Sequence, residues 1–152
     1  MRVDNTFQIS CPDFSEGENI PIKFTCRGEN INPRLDIAGV PPETVGMALI
    51  MHDPDAPAGD YKHWLMWNIS PEVNSIQEGQ VPAGVVQGTG TSGDQSYFGP
   101  CPHQGTHRYV FEIFALKNAL DIPAGSDYSA LTTALDGNVL ASASLTGKFS
   151  AV

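Results

Sequence analysis

The stretch Asp53-Pro54-Asp55-Ala56-Pro57 ends the apolar run Gly46–His52 and is the most informative part of this sequence. A second stretch of similar character lies far downstream, at Gly99–Pro102 and His107–Tyr109. Prolines restrict the backbone of both stretches, glycines permit tight turns, and Asp, His and Tyr side chains supply hydrogen-bond donors and acceptors. Together with His63, the two stretches are predicted to form two halves of one polar pocket for a small anionic or polar ligand.

The pocket residues stand at the ends of predicted strands whose faces are otherwise apolar. Alternate residues of a strand point to the same face. The predicted faces are Met47, Leu49, Met51 and Asp53 in one strand, His63, Leu65 and Trp67 in the next, and His107, Tyr109, Phe111 and Ile113 in a third. The expected result is a pocket with an aliphatic and aromatic floor and a polar rim. This alternation of residues along each strand, or parity, does not show whether the three apolar faces belong to the same face of one sheet.

Short strands separated by turn residues predict a mainly β fold, an antiparallel sandwich of two sheets. The predicted strands are Ile20–Thr25, Gly46–His52, His63–Ile69, Val81–Gln87, Tyr109–Leu116 and Val139–Phe149. One helix is also predicted, with Ser126 as its N-cap and Gly137 as its C-terminal stop. Its apolar stripe comprises Tyr128, Leu131, Ala134 and Leu135.

The composition restricts the class of protein. The 152 residues suit one domain, residues 1–152, and the net charge of −9 opposes binding to nucleic acid or to anionic lipid surfaces. Met1–Asn5 leads into no run of signal-peptide type, and no stretch has the length of a membrane span. A cytoplasmic protein without stable membrane insertion is therefore expected.

The three cysteines, Cys11, Cys26 and Cys101, form no CxxC pair and are odd in number. This pattern favours idle or buried thiols over a disulfide framework or a zinc site. A second interpretation stays open, in which Cys26 and Cys101 approach each other because both lie in Gly- and Pro-containing loops.

Structural roles compete with binding roles for several of these residues. Asp53 and Asp55 are also suited to capping a proline turn, and Arg108 to pairing with a carboxylate. A metal site is disfavoured because the His and Asp spacings match no common metal motif. A nucleophilic hydrolase is disfavoured because there is no G-x-S-x-G sequence.

The two stretches resemble the signature of the phosphatidylethanolamine-binding protein family, also called Raf kinase inhibitor proteins. Asp53–Pro57 with His63-Trp64, and Gly99–Pro102 with His107–Tyr109, occur in the family's order. The similarity extends over nearly the whole chain. Further matches are Phe24–Cys26, Gly28–Asn30 and Leu135–Leu140, the last resembling the short bacterial and archaeal branch.

The resemblance implies a Greek-key-like β sandwich with a small pocket for phosphate, carboxylate or phospholipid head groups. It implies binding more than catalysis, and catalytic activity is not excluded. No cofactor is expected. The implied ligand-binding residues are Asp53, Asp55, Pro57, His63, Cys101, Pro102, His107 and Tyr109. His103 replaces an expected proline.

The resemblance also bears on partners. Larger relatives inhibit kinases or serine proteases, so such a partner is the alternative function. The helix that gates the pocket in larger relatives has no counterpart after Phe149. We therefore expect a more open site, or one that a second copy closes in a homodimer.

Overall fold

The computed structural model describes residues 6–151, so Met1–Asn5 and Val152, which the sequence predictions include, lie outside the described residues. Two antiparallel sheets form the fold, as predicted. The strands are β1 (Gln8–Ser10), β2 (Leu35–Ala38), β3 (Gly46–Asp53), β4 (Tyr61–Ile69), β5 (Ser75–Ile76), β6 (Val86–Gln87), β7 (Thr106–Leu116) and β8 (Val139–Ser150). The small sheet has the order β1-β2-β5 and the large sheet the order β6-β4-β3-β7-β8.

The central strand β3 is apolar on both faces because each face packs against a different layer. Met47, Leu49 and Met51 pack in a cluster that contains residues of both sheets. Ala48 and Ile50 pack in a second cluster, together with buried side chains of the helix α1 (Tyr128–Leu135). Burying one large apolar side chain stabilises the fold by about 1.5–3 kcal/mol, so both layers hold the strand that leads into the predicted pocket.

Two predicted strands are wrong in whole or in part. Ile20–Thr25 contains a 3₁₀ helix, Ile22–Phe24, which follows the proline at position 21. The restricted backbone of proline suits the entry to such a turn and provides no N–H for a sheet. In Val81–Gln87 only Val86–Gln87 is a strand, since Pro82 and the positive φ of Gly84 interrupt it. Strands β1, β2 and β5 were not predicted, and each has only two to four residues.

The predicted helix is present, but its N-cap is Asp127 rather than Ser126. The Asp127 carboxylate accepts a hydrogen bond from the backbone N–H of Ala130 at 3.0 Å. Ser126 instead donates its hydroxyl to the carbonyl of Pro123 at 2.6 Å. Gly137 follows the helix with a φ of 72°, as the predicted stop requires. None of the helices within residues 6–151 is long and apolar enough to cross a membrane.

A disulfide joins Cys26 to Cys101, with their Cα atoms 5.4 Å apart. The expectation of idle thiols is therefore wrong for these two residues, and the alternative that they approach each other is confirmed. Local hydrogen bonds bring the loops together, because the backbone N–H of Cys26 donates to the carbonyl of Pro100 at 3.1 Å. Cys11 is a free, half-buried thiol.

Candidate functional site

An irregularity in β4 turns His63 toward the predicted pocket. Trp64 pairs with Met51, whereas Lys62 pairs with His52, so His63 is one extra residue between them. Such a bulge breaks the alternation of faces. The prediction that His63 shares a face with Leu65 and Trp67 is therefore wrong. Those two residues pack in the cluster that includes α1, whereas the His63 ring lies edge-on to the Tyr109 ring at a centroid distance of 5.4 Å.

The other two parity predictions are confirmed. Met47, Leu49 and Met51 pack in the same cluster as Tyr109, Phe111 and Ile113. Asp53 and His107 continue these faces beyond the apolar core and reach one cavity. The sheet therefore brings together the strand ends that the sequence predicted separately.

The cavity has a volume of about 640 Å³. All predicted ligand-binding residues except Asp55 line it. The full set is Asp53, Ala56, Pro57, Ala58, Tyr61, His63, Phe98, Cys101, Pro102, His103, Gln104, His107 and Tyr109. No lysine or arginine is among these lining residues, so any ligand is held by individual hydrogen bonds rather than by a strong positive field.

Asp53 and His107 form a buried pair at the base of the cavity. The Asp53 Oδ2 atom lies 2.7 Å from His107 Nδ1, and the other ring nitrogen lies 3.1 Å from the carbonyl oxygen of Gln104. Asp53 Oδ1 also accepts the backbone N–H of Asp55 at 2.8 Å, which confirms the predicted turn-capping role. This network fixes the position of both side chains, because each is engaged at two points.

His63 has one engaged and one available ring nitrogen. Its Nδ1 atom lies 2.5 Å from the carbonyl oxygen of Phe98. Burial lowers the pKa of the His63 ring, and this effect is larger than the opposing influence of the Phe98 carbonyl and of Asp53. The neutral ring is therefore favoured although the backbone of Gly99 also acts to raise its pKa, and the Phe98 carbonyl engages Nδ1 rather than Nε2.

The Tyr109 hydroxyl keeps its proton. Burial raises the pKa of Tyr109, and the Asp53 carboxylate raises it further. The hydroxyl is a hydrogen-bond donor for a ligand oxygen next to the His63 ring.

Asp55 does not line the cavity, in contrast to Asp53, and pairs instead with Arg108. Both of its carboxylate oxygens accept hydrogen bonds from the Arg108 guanidinium at 2.9 Å, and one also accepts the Arg108 backbone N–H. Arg108 holds the pKa of the Asp55 carboxyl at about 2. The pair attaches the loop after β3 to β7, which is the scaffolding role that the sequence indicated for Arg108. A ligand contact for Asp55 stays a prediction.

The opposite side of the cavity is a loop, and tertiary contacts fix it. The Gly99 N–H donates to the side-chain oxygen of Asn30 at 2.8 Å. A Cβ atom at position 99 would lie 2.2 Å from the carbonyl oxygen of Phe24, so only glycine fits. The disulfide holds the next part of the loop at Cys101. His103, at the position where a proline was expected, is exposed and lines the rim.

Sequence reasoning missed Tyr61 and Phe98 as lining residues. Tyr61 pairs with Asp53 across β3 and β4 and so shares its face. The Phe98 ring is stacked on the His63 ring at a centroid distance of 5.9 Å. Tyr61 could be found only from the strand register, and Phe98 only from its place before Gly99–Pro102.

A sequence model of the family described as phosphatidylethanolamine-binding protein matches residues 10–150. The chain belongs to the phosphatidylethanolamine-binding protein family. A UPF0098 protein of Methanothermobacter thermautotrophicus is 42% identical over 141 residues, which cover 90% of this chain and 93% of that protein.

Solved structures agree with this membership. CT736 of Chlamydia trachomatis, described as a homologue of the family, superposes with a TM-score of 0.93 and is 37% identical, covering 98% of this chain and 100% of its own. YbcL of E. coli, described as a new member of the mammalian family, has a TM-score of 0.90 and 28% identity, covering 96% of this chain and 99% of its own. The resemblance seen in the two sequence stretches therefore extends to the whole fold.

Proposed function

We propose that this family member binds a small phosphate- or carboxylate-bearing ligand, such as a phospholipid head group, in the cavity and does not convert it. The observation that carries the proposal is the convergence of Asp53, His63, His107 and Tyr109 on one cavity. Buried polar groups that converge on an otherwise apolar cavity are typical of ligand sites.

The arrangement suits binding better than catalysis. The lining residues include no serine, threonine or lysine, and Cys101 is held in a disulfide. Serine, threonine, lysine and free cysteine nucleophiles are thus absent from the lining of the described cavity. His107 faces an acceptor at both ring nitrogens, which leaves it poorly placed to exchange protons with a ligand.

A phosphate titration tests the proposal. Inorganic phosphate added to the protein should shift the NMR signals of Tyr109 and His107, and His63→Ala should weaken this binding about tenfold because one ligand contact is lost. His52→Ala is the matched control, since His52 contacts Asp60 and Glu112 and does not line the cavity. Shifts that are the same in wild type and His63→Ala would reject the proposed site.

The expected protein partner, the expected homodimer and the expected cellular location stay predictions. Inhibition of a kinase or a serine protease and pairing into a homodimer rest on the family resemblance. The cytoplasmic location has evidence against it, because disulfides are typical of oxidising compartments. A relative from Mycobacterium tuberculosis, 38% identical over 143 residues, carries the provisional name lipoprotein LppC. A fractionation of the native cells would show the compartment.

A further inference from the structure

We propose that ligand binding in the cavity is controlled by the redox state of the Cys26–Cys101 disulfide. With the disulfide formed, the loop of residues 98–104 is held in the position that binds the anion, and reduction releases the loop and weakens binding. The inference rests on the proposed function of the cavity as an anion site and adds a means by which that site is regulated.

The loop positions two histidines of the cavity, one at each of its ends. At the first end, the carbonyl oxygen of Phe98 lies 2.5 Å from His63 Nδ1. At the second end, the carbonyl oxygen of Gln104 lies 3.1 Å from His107 Nε2. Cys101 stands midway between these two loop residues and itself lines the cavity. A shift of the loop therefore moves the partners of both histidines.

The disulfide residue Cys101 is also a neighbour of the Tyr109 hydroxyl. Both residues line the cavity. Burial raises the pKa of Tyr109, and the backbone of Cys101 opposes this effect as a hydrogen-bond partner. A displacement of Cys101 therefore changes the surroundings of the hydroxyl that is proposed to donate to the ligand.

The disulfide is the strongest restraint on the centre of the loop. Hydrogen bonds hold its first half, among them the one from the Cys26 N–H to the Pro100 carbonyl at 3.1 Å. Beyond Cys101, Pro102 and His103 take part in no hydrogen bond within the described part of the protein. No residue of the loop belongs to either apolar cluster of the described chain. The loop can therefore move while the core stays packed.

A thiol reductant can reach the disulfide, because Cys26 and Cys101 are both only half-buried. A thiolate of dithiothreitol attacks one sulfur and forms a mixed disulfide, and the other cysteine leaves as a thiolate. The second thiol of the reagent then displaces the first cysteine. Dithiothreitol ends as a cyclic disulfide, and the protein gains two electrons and two protons as a pair of thiols.

The coupling between the disulfide and the ligand acts in both directions. If reduction weakens ligand binding by a given factor, the bound ligand opposes reduction by the same factor. Coupling between two sites in a protein typically corresponds to a factor of about 5–150. We expect about tenfold, near the lower end, because the hydrogen bonds to the first half of the loop remain after reduction.

Phosphate titrations of oxidised and reduced wild-type protein measure the first direction. Inorganic phosphate is added with and without excess dithiothreitol, and binding is followed by the NMR signals of Tyr109 and His107. The dissociation constant should be about tenfold higher after reduction and should return to its first value on reoxidation. The backbone amide signals of β3 and β7 should stay dispersed, because these strands belong to the core.

Cysteine variants assign the effect to the disulfide. The double variant, Cys26→Ser with Cys101→Ser, should bind phosphate as weakly as reduced wild-type protein and should not respond to dithiothreitol. Cys11→Ser is the matched control and should keep the full response, because Cys11 is a free thiol outside the cavity lining.

The second direction needs only the wild-type chain. In a glutathione redox buffer, saturating phosphate should lower the equilibrium constant for reduction of the disulfide by the factor found in the titrations. Alkylation of the free thiols followed by mass spectrometry gives the reduced fraction. A reduced fraction that is the same with and without phosphate would contradict the coupling.

The remaining outcomes separate the inference from the proposed function. Equal phosphate affinity of folded oxidised and folded reduced protein would overturn the inference and leave the anion site. Collapse of the amide signals of β3 and β7 on reduction would also overturn it, because the disulfide would then hold the whole fold rather than the loop. If the oxidised protein does not bind phosphate, the proposed function itself is wrong.

Discussion

The two sides of the cavity are built in different ways. The strand side comprises Asp53, His63, His107 and Tyr109, which are buried and lie at the ends of β3, β4 and β7. The loop side comprises residues 98–104, of which His103 and Gln104 are exposed. Sheet hydrogen bonds and core packing position the strand side, whereas a disulfide and a few contacts position the loop side. Many core contacts thus hold the strand side in position, whereas the position of the loop side depends on a few individual contacts.

The largest expected effect is on the loop side. Replacing both disulfide partners, Cys26→Ser with Cys101→Ser, removes a link across a sequence separation of 75 residues. The chain-entropy model gives a loss of about 4 kcal/mol in the free energy of unfolding for a loop of this length. Urea denaturation under oxidising conditions measures it, and hydrogen exchange should quicken at residues 98–104 more than in β3 and β7.

Cys11→Ser is the matched control for this double variant, because Cys11 is a free thiol outside the cavity lining. It should change the free energy of unfolding by less than about 1 kcal/mol. If the double variant is as stable as wild type, the disulfide does not restrain the loop side in solution.

A smaller effect is expected on the strand side, where two neighbouring aspartates can be compared. Asp53→Asn removes the buried partner of His107 and should lower the free energy of unfolding by about 2–3 kcal/mol. Asp55→Asn is the control, since its Arg108 pair is at the surface and such pairs contribute about 1 kcal/mol or less. Thermal denaturation of both variants gives the ranking. Equal losses would contradict the distinction between the buried and the surface carboxylate.

The difference between the two sides also explains what the sequence could predict. Parity placed Asp53, His107 and Tyr109 correctly because β3 and β7 are regular where they pair. It failed for His63 because one extra residue in β4 changes the face, and no residue type at that position indicates a bulge. The family resemblance nevertheless included His63 in the site.

The loop side was less predictable from local sequence. Proline and glycine indicated turns at Gly99–Pro102 but not which other loop they contact. The contacts with Asn30 and Cys26 join residues about seventy positions apart, so they depend on the complete sheet arrangement. The number and spacing of the cysteines do not contain this long-range information, and they therefore favoured idle or buried thiols.

A third prediction concerns the link between the loop after β3 and β7. Arg108→Ala should lower the free energy of unfolding only slightly, and by less at high salt, because the pair is exposed. The pKa of Asp55 should rise from about 2 toward its ordinary value of 3.8. A lowered pKa stabilises the fold above the unfolded value and this stabilisation is lost as the pH falls through the folded value. NMR titration of the Asp55 carboxyl measures the shift, and an unchanged pKa would contradict the pairing.

The last prediction concerns the direction in which stability changes with pH. It compares His63 with His52, which lies on the opposite face of the large sheet. Burial lowers the pKa of His63, whereas hydrogen bonds to Glu112 and Asp60 raise that of His52. On acidification below about pH 6.5 the unfolded chain binds a proton at position 63 before the folded chain does, which destabilises the fold. At position 52 the folded chain binds the proton before the unfolded chain does, which stabilises the fold. This stabilisation is complete below the pKa of His52 in the unfolded chain and is lost as the pH rises through its pKa in the folded chain.

Replacing each histidine with glutamine separates these two contributions. Relative to wild type, His63→Gln should gain stability as the pH is lowered, and His52→Gln should lose it, in urea denaturations repeated across that pH range. A gain for both variants would mean that the carboxylates beside His52 do not hold its proton in the folded state. A loss for His63→Gln would mean that the folded chain holds a proton on the buried His63 ring more strongly than the unfolded chain does, so that the charged ring is favoured on the strand side despite its burial.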